Sequence, residues 1–470
     1  MRVYLGPFLF VGGICLVLSA AVPVAAQDKK QEKKKDPGFQ ADGLKNLRHP
    51  DANIRYQTAA LIAKQGPRAK FAVEELHEAL QDTDPLVRVK VAEALWKVER
   101  PSPSVILPTL QRALKDKNPE VREAACEAIG MLGGKGKAAV PALTLALKDE
   151  KLPVVMAAVS ALGDIGPSAT EAAPALLQLA GYADFIILEP IVGAALGEMG
   201  EGAVPELAAA LKEKSANRRR AAAYALGSMG PKAEGATKPL TGALGDEEWT
   251  IRSLAARALG NIGISAKLAL PRLREATDDK NAQVRVRAAF AVWQIAADTK
   301  YVPLLSRSLE DEDVAARELA CRALATMATD AKPASGALCK ALGDKAPSVQ
   351  QAAAQAIGSI GRSAKDCVVS LRPLLQDKDR TLRLHAAFAL WQVTGEAKES
   401  LKALRPLLAE EDAVQVLAVE KIGAIGPAAR DLLPDLVRAY REEDGEAIRR
   451  ALGDAIKKID PELAGKLGLR

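Results

Sequence analysis

The sequence predicts an all-α fold, an α-solenoid of about twelve two-helix repeats closed by a C-terminal cap. Three observations predict it. An arginine recurs seven residues before an apolar residue that is commonly followed by Gly or Trp: Arg55, Arg88, Arg122, Arg219, Arg252, Arg285, Arg317, Arg383 and Arg449. Val155, Glu189, Gln350 and Gln415 take that place in four units, and the thirteen positions lie 30 to 34 residues apart. A fixed period of this length marks stacked helical units rather than one globular core. Aromatic residues are only 4% of the chain against 49% apolar residues, so alanine and leucine must fill the interior. That suits close helix packing and disfavours a sheet, which enriches β-branched and aromatic residues. Finally, apolar residues within each unit fall at helical spacing, as in Val121, Ala125, Ala128, Ile129 and Leu132.

Residues 1–26 read as a signal peptide: Met1-Arg2, an apolar run from Val3 to Val22, and Val24-Ala25-Ala26 before Gln27. An uncleaved anchor is the alternative. Residues 27–41 read as a charged, disordered linker, since Asp28–Asp36 contains no apolar residue. Residues 42–470 form the solenoid. Such a leader places the protein in the periplasm or outside the cell. The formal net charge is +6; Arg2 and the linker, with five lysines against three acids, carry half of it. The repeats are therefore nearly neutral, without the basic excess of a nucleic-acid binder.

Asp116 to Asp149 shows what one unit contains. Pro119 opens the first helix, where its missing N–H costs nothing, and Gly133-Gly134 ends it. A second helix starts near Val140-Pro141 and runs through Leu147. Two alanine columns stand three and four residues after the arginine (Ala222/Ala223, Ala255/Ala256, Ala288/Ala289, Ala353/Ala354, Ala386/Ala387) and let neighbouring helices approach closely. Six residues before the arginine there is usually an acid. Asp82, Asp116, Asp246, Asp279, Asp311 and Asp377 precede Arg88, Arg122, Arg252, Arg285, Arg317 and Arg383, and Glu213 and Glu443 are variants. Such an acid can cap the helix and reach an arginine of the same or the next repeat, making a structural ladder of charge-assisted bonds. An anion-binding row of arginines is the weaker alternative.

The pattern Asp-x-x-x-x-Val-Arg-x-x-Ala-Ala-x-Ala-Leu-Gly, with a proline-led helix eight residues before the aspartate (Pro108/Asp116, Pro141/Asp149, Pro271/Asp279, Pro303/Asp311), resembles the HEAT repeat, in particular its PBS-lyase HEAT-like subtype. The resemblance covers about residues 42 to 460. It implies a right-handed superhelix with the arginine-bearing helices on the concave side. It implies little about activity, because such proteins are mostly scaffolds with unrelated partners.

Two departures from the repeat are candidate partner-binding sites. Repeat five reads Tyr182-Ala183-Asp184-Phe185-Ile186-Ile187-Leu188, apolar and without the arginine, and repeat six follows with Arg218-Arg219-Arg220. Phe185, Ile186, Arg218 and Arg220 would form an apolar patch beside a basic cluster, or else a degenerate repeat with buried apolar residues. Trp96, Trp293 and Trp391 stand eight residues after the arginine, where other repeats mostly have glycine. Phe290 and Phe388 lie one turn before two of them, so Val286-Phe290-Trp293 and Leu384-Phe388-Trp391 share a helix face. These rings are either anchors for a partner or fillers of the space left by a missing Gly-Pro loop such as Gly166-Pro167 or Gly230-Pro231.

Catalysis finds little support. The three histidines, His49, His77 and His385, belong to no HExxH motif, and no Walker lysine loop or GxSxG elbow occurs. The HEAT-like deoxyhypusine hydroxylases hold two irons with several His-Glu pairs; here only His77-Glu78 has that form, so no metal or other cofactor is expected. Bilin lyases act in the cytoplasm, and HEAT-like DNA glycosylases need a basic groove, so neither fits. Five cysteines without a regular pairing argue against a disulfide framework. The expectation is a non-catalytic exported scaffold whose concave face binds a protein. The alternatives are an enzyme or enzyme subunit with a site near repeats five and six, or a polyanion binder.

Overall fold

A computed structural model describes residues 41–181, 189–409, 413–443 and 445–469. The leader, the linker up to residue 40, and Phe185 and Ile186 of repeat five lie outside the described residues. Among the described residues there is no strand; pairs of antiparallel helices alternate along the chain. Twelve pairs run from Ala52–Gln65 to Leu433–Glu442, and Glu446–Ile459 with Pro461–Lys466 closes the stack. The expected all-α solenoid is the observed fold.

Each first helix starts and stops for reasons visible in its own residues. Asp51, Asp84, Asn118, Asn281, Asp313 and Asp379 are N-caps whose side chains accept N–H groups of the first turn. At the other end the chain must turn sharply into a 3₁₀ segment. Gly66, Gly166, Gly230, Gly263, Gly361 and Gly426 do so at positive φ, where a Cβ would be strained. Leu152–Ala180 is long and apolar enough to pass for a membrane span. It is nonetheless the two helices of repeat four and their 3₁₀ turn, bent at Gly166 and packed within the stack.

First helices lie against the first helices of neighbouring repeats along much of their length, whereas successive second helices scarcely touch. A stack that is dense on one side and open on the other curves towards the dense side. The first helices therefore form the inner face. Glycine eight residues after the arginine sets their closeness. A Cβ on Gly130, Gly163, Gly260, Gly358 or Gly423 would sit 3.0–3.2 Å from the Cα of Ala161, Ala195, Ala291, Ala389 or Ala455 in the next repeat.

The buried core is not one body. It runs from Leu47 to Ile295, again from Val286 to Val393, and again from Leu384 to Ala464. Both divisions fall inside a Phe-Trp helix, Ala282–Ala296 and Arg380–Thr394. The disulfide expectation is corrected: Cys339 and Cys367 are bonded, with Cα atoms 5.1 Å apart. They sit 28 residues apart in the second helix of repeat nine and the 3₁₀ turn of repeat ten. A sequence spacing of nearly one repeat brings adjacent edges of two units together, and such a pairing shows in no short cysteine motif. Cys126 and Cys321 are buried and free.

Candidate functional site

The arginine column belongs to the framework, in a geometry that corrects the expected pairing. The carboxylates of Asp82, Asp149, Asp246, Asp279, Asp311 and Asp344 bond the arginine of the preceding repeat rather than one of their own or the next repeat. Arg55 Nε and Nη2 donate to Asp82 at 2.7 and 2.8 Å. Arg122–Asp149, Arg219–Asp246, Arg252–Asp279 and Arg317–Asp344 repeat this two-bond pairing across 27 residues. The remaining nitrogen turns back to its own loop: Arg122 Nη1 donates to the carbonyls of Asp116 and Lys117. The aspartate also accepts an N–H two residues on, as Asp116 does from Asn118, and thereby shapes the turn before the cap. A rung thus ties two loops and two repeats with one guanidinium. Arg122 and Arg317 hold the carboxyls of Asp149 and Asp344 below the usual carboxylate range. At Asp82 and Asp279, burial pushes the other way, and the arginine and loop N–H bonds overcome it. Gln415 keeps only the turn back, donating to Leu408 O at 3.0 Å.

Two of the tryptophans, Trp96 and Trp293, stand where the rungs weaken. Arg88 bonds the carbonyls of Asp82 and Thr83 but makes no bond to Asp116. Arg285 reaches Asp311 through one bond of 3.0 Å, more exposed than the two-bond pairs. Arg383 bonds Asp377 O and Lys378 O, and the residue 27 positions on, Glu410, lies outside the described residues. The first helices of repeats two and three, eight and nine, and eleven and twelve share the least contact of all neighbouring first helices. The cause is steric: an indole replaces the glycine that allows close approach. Trp96 and Trp293 are half-buried and reach the following repeat, donating to Met131 O at 3.0 Å and Asp330 Oδ2 at 2.9 Å. Phe290 stacks on Trp293 with centroids 5.6 Å apart, and Phe388 tilts against Trp391 at 5.3 Å. All four rings pack against the core and stay half-buried. In the basic triplet, Arg219 is a rung, Arg218 pairs with Glu213 at 2.8 Å and Arg220 bonds Asn217.

Other residues make the inner face chemically distinctive. Its half-exposed positions stand two, five and nine residues after the arginine column. In repeats three to five they include Glu127, Asp164 and Glu198, with Glu123 beside them. Burial, then the neighbouring Glu127 and Glu120, raises the Glu123 carboxyl; burial, then Glu198, raises that of Asp164. In repeats six to nine the same positions hold Tyr224, Arg257, Arg287, Phe290 and Arg322. Arg257 stacks on Tyr224, 4.7 Å from the ring centroid. Arg287 makes no hydrogen bond or ion pair with a described residue; its Nε and that of Arg257 are buried without acceptors. Burial, then Arg257 and Arg322, lowers the Arg287 guanidinium to about 10. Further along, Gln355 contacts His385, which burial and Lys421 lower to about 4, and Lys421 lies 4.7 Å from the Phe388 centroid. The inner face is thus acidic, then basic and aromatic. Averaged net charge conceals this polarity; the arginines outside the ladder column were the readable signal.

The family profile described as HEAT repeats matches residues 96–144, 106–188, 191–260 and 335–414, over half of the chain. The chain belongs to the HEAT-repeat family. This HEAT solenoid is similar in fold to importin beta, with a TM-score of 0.50 and 14% identity over 92% of this chain and 69% of that one. It is also similar to a chain of a Kap95:Nup1 complex, with a TM-score of 0.53 and 14% identity over 91% and 68%. No curated protein matches it in sequence. At these identities the likeness concerns the fold alone.

Proposed function

We propose that this HEAT solenoid is a non-catalytic scaffold that receives a protein partner on its inner face. The observation that carries the reading is the bipolar inner surface, with Arg257 and Arg287 lacking an acid beside half-buried aromatic rings. Arginine and aromatic side chains supply much of the energy of protein interfaces. The importin beta and Kap95 solenoids share the fold, and the second of these is seen in complex with Nup1. The Cys339–Cys367 disulfide supports an exported location, because such bonds persist in oxidising compartments. The apolar run of residues 1–26 supports it as well, and residues 27–41 then serve as a spacer.

Site-specific photocrosslinking in cells tests this. A photoreactive side chain at Ser160, Ala194 or Gln355, all exposed on the inner face, captures a protein under the proposal. The same group at Leu145 or Val369, exposed on second helices, does not. Crosslinks confined to the second-helix positions, or none at any position in folded protein, refute it.

A further inference from the structure

The following rests on the inner-face reading above and adds the chemistry of what is bound. We infer that repeats seven to nine form a receptor for a carboxylate-bearing segment of a protein partner, held by Arg257, Arg287 and Arg322 beside Tyr224 and Phe290. The three arginines lie on consecutive first helices, Trp249–Ile262, Ala282–Ala296 and Val314–Met327. Arg322 pairs with Glu318 at 2.5 Å, while Arg257 and Arg287 have no carboxylate among the described residues. The ladder arginines show how this fold treats a guanidinium it needs: it supplies an aspartate. Leaving two nearby ones without an acid is costly, since each buries its Nε without an acceptor and only Arg257 recovers part of the lost hydration, by stacking on Tyr224.

The fold does not require them. The position of Arg287, two residues after the ladder column, is Ala124, Ala157, Ala221 and Ala352 in other repeats. The position of Arg257 and Arg322 is Ala60, Ser160 and Ala194 elsewhere. A cation kept at a site that alanine fills equally well, and facing two more cations, points to an anion supplied from outside. The planar guanidinium matches a carboxylate through paired hydrogen bonds. Phe290, one turn from Arg287 and stacked on Trp293, offers an apolar floor beside the charges. Three adjacent helices span about 20 Å at ordinary interaxial distances of about 10 Å, the length of roughly six extended residues. Glu123, Glu127, Asp164 and Glu198 on the same face would repel a longer polyanion. Charge complementarity therefore favours a short acidic segment over nucleic acid.

The test is fluorescence anisotropy of the full chain with a labelled peptide of alternating glutamate and leucine, against its glutamine counterpart. The glutamate peptide is expected to bind at least about 10-fold more tightly. The Arg257→Gln/Arg287→Gln variant should lose about 10-fold or more of that affinity. Arg287→Met should also raise the melting temperature of the unliganded protein, because it removes a partly buried charge that has no counterion. Arg372→Gln, in the second helix Val368–Leu374, should alter neither. The inference is overturned by equal binding of both peptides, by a preference that survives the double variant, or by inorganic phosphate or duplex DNA displacing the peptide at equal concentration. Inner-face crosslinks without a glutamate preference would refute the acidic-segment assignment alone. An absence of crosslinks would refute the scaffold reading beneath it.

Discussion

At the scale of single residues, one side-chain type does two jobs. Arg252 is saturated by Asp279 and by its own loop carbonyls, so it holds the frame. Arg252→Ala would leave Asp279 in a site built for a pair and should cost about 2 kcal/mol in urea unfolding. Arg257→Ala, five residues on, should cost much less, since no acid is left behind. The rungs also set the acid response. Asp149 and Asp344 have folded pKa values below the unfolded value of about 4. Their contribution is therefore present above pH 4 and lost as pH falls through the lower folded value. The Asp149→Asn/Asp344→Asn variant should be less stable than the parent at pH 7 and converge with it as pH falls through the lowered folded values; a constant difference at all pH values would contradict this. Reducing Cys339–Cys367 opens a link across 28 residues and should lower stability by about 3 kcal/mol, read by unfolding with and without reductant.

At the scale of helices, one position decides how repeats meet. Gly260 and Gly358 admit the next helix because they lack a Cβ; an added one would stand 2.3 Å from Gln294 Oε1 or 2.4 Å from Gln392 Oε1, and against alanine backbone behind. Gly358→Val should therefore destabilise by about 2 kcal/mol, seen as a lower urea midpoint. Where the sequence already has tryptophan, the neighbours stand apart, and at Trp96 and Trp293 the rung is missing or thin. This level was partly legible. The period, the alanine columns and the helix ends follow from local residue chemistry and were readable. The direction of the ladder was not, because an aspartate six residues before one arginine is equally 27 residues after another. Only the packing of one repeat on the next decides between them. The unpaired state of Arg257 and Arg287 was hidden for the same reason: it depends on what neighbouring helices fail to provide.

At the scale of the whole molecule, three core segments share the two Phe-Trp helices at their borders. In a stack held by nearest-neighbour contacts, opening starts where those contacts are weakest. Hydrogen exchange should therefore be faster at the ends of Ala282–Ala296 and Arg380–Thr394 than in Trp249–Ile262 or Pro347–Ile360; uniform protection across these helices would contradict the division. The same framework leaves the inner face of repeats six to nine basic and aromatic, and the central claim is that a protein partner docks there. The most direct measurement is hydrogen exchange of the full chain with and without the protein captured by crosslinking. The account predicts new protection in the first helices Ala216–Met229, Trp249–Ile262, Ala282–Ala296 and Val314–Met327. Protection confined to the second helices, with these four unchanged, would contradict it.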